Sequence, residues 1–275
     1  MADSVALTAG VRNNLLSLQN TSDLISRTQS RLSSGLKVNS ALDDASAFFT
    51  STALNNRASD LNTLKSDVDL AISTIESAIT GIDAITELVQ QAKGLANQAK
   101  ATGDTNEKST LAVQFNALLG QIDDIANDSS FNGTNLIQAT PDNLTVEFNE
   151  DGSSDLTITG LDATTATTGI EVTAATNNFA DDAAIDTSIT ELNSALSELR
   201  TNAATLGSNN TILQTRLNFT EDLVNTLETG ASKLTLADLN EESANLLALQ
   251  TREQLGINAL SLAAQSERSI LGLFG

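Results

Sequence analysis

The sequence predicts a mainly α-helical fold, an elongated bundle of long helices carrying one small β-hairpin. Two observations lead there. From Leu61 the apolar residues recur in alternating steps of three and four, through Leu64, Val68, Ala71, Ile75, Ala78, Ile82, Ile85, Val89, Ala92, Ala96 and Ala99. That is the 3.5-residue seam of a coiled coil. The period changes to two only after Pro141, the single proline of the chain.

Each element follows in order. Val11, Leu18, Ile25 and Leu32 recur every seven residues, but their companion seam positions are Asn14, Thr21 and Thr28. The apolar stripe is thin, so this helix is expected to be marginal alone and to need partners. Ser33-Ser34-Gly35 is a helix stop signal, and Asp43-Asp44 suits the cap and first turn of the next helix. The long seam then runs from Leu61 to Ala99, and a second reads Leu111, Phe115, Leu118, Ile122 and Ile125. Leu144 to Phe148 and Leu156 to Thr159 alternate with period two around Asp151-Gly152, which predicts a hairpin over about 144–160. Residues 162–182, rich in Thr, Ala and Asn, read as an exposed loop with one further strand at Ile170–Val172.

The returning seam holds Ile185, Ile189, Leu192, Leu196, Leu199, Ala203, Leu206, Leu213, Leu217, Val224 and Leu227. Asn210 and Thr220 occupy its two polar positions and either set register or divide the run into two helices. At ~1.5 Å per residue the longer seams make rods of roughly 60 Å. The last segment places Leu239, Leu246, Leu249, Leu260, Ala263, Ile270 and Phe274 on one track. Leu247, Leu255, Leu262 and Leu273 widen its apolar face, the pattern of a helix covered by several neighbours.

Composition removes most chemistry. The 275 residues include 14 Lys+Arg against 35 Asp+Glu, a net charge of −21, with no His, Cys, Trp or Tyr. Imidazole bases, thiolate nucleophiles and Cys- or His-type metal sites are therefore excluded. Nucleic acid is not an expected partner, because it needs a cationic surplus and aromatic platforms. No apolar run approaches ~20 residues, so membrane insertion is not expected, nor is a cleaved signal peptide. Whole-chain disorder conflicts with a regular 40% apolar content. Residues 1–60 are net 0, residues 61–235 net −18 and residues 236–275 net −3, as expected of buried ends and a solvated middle.

The motifs that imitate sites have plainer readings. Asp43-Asp44 and Asp123-Asp124 could pair as catalytic carboxylates or bind a cation, but solvated or capping acids fit better. Asn149 to Asp155 lacks the glycine position and closing Glu of a calcium loop. Asn132-Gly133-Thr134 and Asn143-Leu144-Thr145 match a glycosylation pattern that arises often by chance. No catalytic residue, cofactor or metal is expected.

Three stretches carry a resemblance: RLSSGLKVNSALDDASA at 31–47, FNGTNL at 131–136, and ANLLALQTREQLGINALSLAAQSERSILGLFG at 244–275. In that order they resemble a bacterial flagellin of the short type, with an alpha-proteobacterial origin plausible. The resemblance implies a long antiparallel helical bundle with the terminal helices paired. Residues 1–42 and 237–275 would form the inner D0 domain, with Val11, Leu18, Ile25, Leu32, Leu246, Leu249, Leu260 and Ile270 as its assembly residues. Residues 43–236 would form the D1 rod, with Leu64, Val68, Ile75, Ile82, Leu192, Leu199 and Leu206 in its seam. Arg31, Gly35, Asp43 and Asp44 would make the spoke between them.

The implied function is that of a filament subunit, not an enzyme. It would be exported unfolded, polymerise with itself outside the cell, and meet the flagellar export apparatus, a flagellin chaperone and the filament cap. Gln90 and Gln91 stand where flagellins detected by the toll-like receptor of animals carry an Arg, so that recognition is not expected. A hook–filament junction protein and a coiled-coil signalling module are the competing readings.

Overall fold

The computed structural model describes residues 9–274, which form five α-helices, a two-stranded sheet and a 3₁₀ turn. In chain order these are α1 (Ala9–Ser34), α2 (Ala45–Ala101), α3 (Thr105–Asp128), β1 (Leu144–Glu147), β2 (Asp155–Ile158), the 3₁₀ turn (Thr176–Phe179), α4 (Asp182–Thr235) and α5 (Leu239–Phe274). Two compact units result. One comprises the described residues up to Asn56 and from Thr226 onward; the other runs from Arg57 to Asn225.

Within the Arg57–Asn225 unit one apolar cluster joins the three helices. Val68, Ile75, Ile82, Ile85 and Val89 of α2, Phe115 and Ile122 of α3, and Leu192, Leu199 and Leu206 of α4 are all buried in it. The unbroken three-four spacing places one residue per turn on the inner face, so every turn of α2 from Val68 to Ala99 contributes to the core. Polar pairs along the edge fix an antiparallel register. Lys65 meets Glu221, Lys93 donates to Asn193 Oδ1 at 2.7 Å, and Lys100 pairs with Asp186. Each advance along α2 is matched by an equal retreat along α4, so the register does not slip. α4 is continuous through Asn210 and Thr220, with Thr220 buried; the two polar seam residues do not break the helix.

Helix ends are closed by side chains. The Asp104 carboxylate accepts from Asn106 N at 2.8 Å and starts α3. Asn135, itself buried, holds the other end: its amide nitrogen donates to the carbonyls of Ala126 and Asn127, and its Oδ1 accepts from Ile137 N and Gln138 N. Four backbone groups left by the end of a helix and the start of a turn are thus satisfied by one side chain. Phe131 and Thr134 bridge the intervening turn, where Asn132 and Gly133 adopt φ of 50° and 83°. The Asn-Gly pair supplies the left-handed conformations such a tight turn requires.

The hairpin forms where expected. β1 and β2 are antiparallel with Leu144 opposite Ile158 and Val146 opposite Leu156, and they bury Val146 and Ile158. Two cations hold it from the helices. Arg57 Nε donates to Glu150 Oε1 at 2.8 Å, and the Arg216 guanidinium lies 4.8 Å from the Phe148 ring centroid.

Residues 162–182 correct the expectation of an exposed loop. Thr167, Thr168 and Thr176 are exposed, but Ala163, Thr164, Ile170, Val172 and Phe179 are buried. Phe179 packs edge-on against Phe115 of α3, with centroids 5.1 Å apart. Asp123 is no merely solvated acid, since its carboxylate accepts from Thr165 N at 2.7 Å and from Thr165 Oγ1. No strand forms at Ile170–Val172. Ile170 N instead donates to Thr164 O and Glu171 N to Ala166 O, so these amides close a local loop and have none left for a ladder.

Candidate assembly surface

α1 and α5 pair in the other unit. Arg31 Nη1 donates to Glu242 Oε1 at 2.8 Å, and further along Leu18 lies over Gly256, so the two helices run antiparallel. A Cβ at Gly256 would stand 2.7 Å from Leu18 Cδ2. Absence of that carbon lets the leucine seat against the α5 backbone.

The thin stripe of α1 is used as it stands. Val11 and Ile25 are buried together with Thr21 and Thr28, while Leu18 and Leu32 are half-buried and Asn14 is exposed. The Thr21 hydroxyl donates to Ser17 O at 2.8 Å, which satisfies it inside the pair. On α5, Leu246, Leu249 and Leu260 are half-buried. The side chain of Ile270 lies outside the described residues. Among the polar residues of the outer face several leucines stay exposed: Leu16 is 61% exposed, Leu247 67%, Leu255 64% and Leu262 71%.

The residues expected in the spoke lie at the end of α1, for Arg31 and Gly35, and in the turn leading into α2, for Asp43 and Asp44. Gly35 has φ of +73° and its N–H bonds to Arg31 O at 2.8 Å, ending α1 with a left-handed residue. The chain then pairs with the segment before α5. Leu36 bridges Leu236, Lys37 N donates to Thr235 O at 2.7 Å, and Ala237 N donates to Gly35 O at 3.0 Å. Asp43 folds the next turn by accepting from Asn39 N, Ser40 N and the Ser40 hydroxyl. These donors, the Asn39 amide foremost, hold the Asp43 carboxyl below the usual carboxylate range, with a smaller contribution from Arg31. Asp44 accepts from Ala47 N at 3.0 Å and caps α2. Just before Asp43, Leu42 is 98% exposed.

Of the rod-seam residues, Val68, Ile75, Ile82, Leu192, Leu199 and Leu206 share the apolar cluster. Leu64 is half-buried beside Phe131 and Leu144. Among the described residues no group of three acidic side chains could hold a metal ion, and no helix is long and apolar enough to cross a membrane.

The family model for the bacterial flagellin N-terminal helical region matches residues 8–142, and that for the C-terminal helical region matches residues 189–274. Flagellin FljM of Caulobacter vibrioides is 35% identical over 273 residues, 99% of this chain and 98% of that protein. The chain belongs to the flagellin family. A flagellin of Brucella melitensis is 30% identical across 100% of this chain and 98% of its own length. The crystal structure of Bacillus cereus flagellin overlaps 56% of this chain and 88% of that one, with a TM-score of 0.49 and 22% identity.

As a flagellin, the chain is a structural subunit of the bacterial flagellar filament and polymerises with itself. Two residues central to the terminal pair escaped the apolar pattern. Continuing the three-four track of α5 through Leu239 passes Glu242, Leu246, Leu249, Glu253, Gly256, Leu260 and Ala263. Of its three interruptions, at Glu242, Glu253 and Gly256, the first and last are the signal. One position meets a cation and the other a protruding leucine.

Proposed function

We propose that the paired ends of this flagellin are its inner D0 domain, formed by residues 1–42 and 237–275, and that residues 43–236 form its D1 rod. Val11, Leu18, Ile25, Leu32, Leu246, Leu249, Leu260 and Ile270 are the assembly residues, and Arg31, Gly35, Asp43 and Asp44 form the spoke. One observation carries this reading: the α1–α5 pair closes only one side and leaves four leucines of its outer face more than half exposed. Exposed apolar area of that kind marks an interaction surface. In a heterologous, non-closing contact it extends a lattice instead of capping a dimer.

The subunit is exported unfolded through the flagellar export apparatus, escorted by a flagellin chaperone, and added under the filament cap outside the cell. A thin polar-interrupted seam supports that order of events. α1 gains little by folding early and completes its burial when neighbouring copies cover it. The seam of Leu64, Val68, Ile75, Ile82, Leu192, Leu199 and Leu206 keeps the rod stiff.

The test is seeded elongation of the purified protein, followed by electron microscopy. Wild type is expected to grow long tubes from short seeds. Leu18→Asp is expected to retain the helical circular dichroism of the Arg57–Asn225 unit yet fail to elongate. Filaments of normal length from Leu18→Asp would sink the terminal-pairing account.

A further inference from the structure

We propose that the cleft between α1 and α5 is a carboxylate-binding site that takes an Asp or Glu side chain from a second copy of this chain. The cleft encloses about 310 Å³, and three guanidinium groups line it: Arg27 and Arg31 from α1 and Arg252 from α5. The residues between them are polar or apolar, Thr28, Asn245 and Leu249 among them. Glu242 is the one acid in the lining, and it is buried and already bonded to Arg31 at 2.8 Å. Among the described residues Arg27 and Arg252 have no ion-pair partner.

The arrangement therefore holds two unneutralised cations at one mouth, in a chain whose carboxylates outnumber its cations 35 to 14. Planar guanidinium forks recognise carboxylates by paired N–H donation, and two forks facing one cleft discriminate in favour of an anion that reaches between them. A second copy is the occupant that charge complementarity selects. It arrives rich in carboxylates, and it must already lie against this helix pair to cover Leu247 and Leu255. The site acts as a register stop. Apolar contact alone lets helices slide by a turn, whereas a carboxylate seated between two arginines permits one position.

This inference rests on the reading of the terminal pair as an assembly contact, and the experiment separates the two. Arg252→Lys and Arg27→Lys variants are each copolymerised on seeds with isotope-labelled wild type. The filaments are treated with a zero-length carbodiimide, which condenses a lysine amine with a carboxyl group and expels water. Mass spectrometry is expected to find isopeptides joining the introduced amine to an Asp or Glu of the labelled chain. If filaments form and the amine remains free, or joins only Glu242 or Glu253 of its own chain, the site does not receive a second copy.

Charge reversal gives an independent arm. Arg27→Glu/Arg252→Glu is expected to elongate on the order of tenfold more slowly than wild type, with unchanged helical content. Equal elongation rates would overturn the proposal. So would phosphate binding to wild-type monomers, seen by phosphorus NMR, that Arg27→Gln/Arg252→Gln abolishes without slowing elongation. In that case the cleft serves a free anion. Failure of wild type itself to elongate would remove the assembly reading, and this site with it.

Discussion

Gly81 and Gly94 lie on the same helix yet should answer an added methyl group in opposite ways. A Cβ at Gly81 would stand 2.3 Å from Ser129 Oγ and 2.7 Å from Ile137 Cδ1, whereas nothing lies within 4 Å of one at Gly94. Ser129 cannot simply rotate away, because its hydroxyl bonds to Ile125 O at 2.6 Å at the end of α3. Gly94→Ala should therefore gain the helix-propensity difference, about 0.5–1 kcal/mol. Gly81→Ala should lose about 1–3 kcal/mol through overpacking, which exceeds that gain. Thermal melts by circular dichroism decide it, and equal shifts for both would show that the close α2–α3 approach is not present in solution. Asn135→Ala should cost at least about 2 kcal/mol in urea unfolding, since it strands buried backbone groups on both sides of a turn. The periodicity of the sequence shows neither effect. Gly81 interrupts no pattern, and Asn135 reads as one more turn residue after Asn132-Gly133.

Elements are held down by charge as well as by apolar area. Lys108, buried in α3, reaches Asp182 at 2.6 Å at the start of α4, and Lys100 pairs with Asp186 one turn on. The hydrogen bond and charge of Lys108 hold the Asp182 carboxyl below its ordinary value of 3.8. A depressed carboxylate stabilises the fold at pH above its unfolded value, and that contribution is lost as pH falls through the folded one. The first turns of α4 should therefore keep their amide protection at pH 7 and lose it ahead of α3 as the solution is taken below the usual aspartate range. Hydrogen exchange at amides 183–189 measures this, and unchanged protection at pH 3 would refute the latch. Lys108→Met should weaken the pH dependence of those amides, with Lys100 still facing Asp182 and Asp186, while leaving the remaining helices intact. The helices themselves were legible because three-four spacing records the inner face of a rod directly. The fold of residues 162–182 was not, because its burial comes from isolated residues such as Phe179, placed by contacts with α3 and by hydrogen bonds to Asp123.

At the scale of the whole molecule, charge opposes what apolar surface promotes. Residues 61–235 carry net −18, so neighbouring copies repel across any distance shorter than the screening length. That length falls from about 30 Å at 0.01 M salt to about 3 Å at 1 M. The concentration at which filaments form should accordingly fall as sodium chloride rises from 0.02 to about 0.5 M, measured by sedimentation. A rise throughout that range would mean that attraction between opposite charges, not apolar contact, dominates the lattice. Family and overall architecture were legible from RLSSG, FNG and the C-terminal leucines. The cleft of Arg27, Arg31 and Arg252 was not, because α1 and α5 meet across 211 positions of sequence at Arg31 and Glu242. The clasp that joins Gly35–Lys37 to Thr235–Ala237 has its own consequence for that separation. It shortens the tether between α1 and α5 from about two hundred residues to a few, so each helix sees the other at an effective concentration of order millimolar whatever the dilution of the protein. A seam too weak to dimerise two free peptides can then zip up within one chain, starting from the clasp.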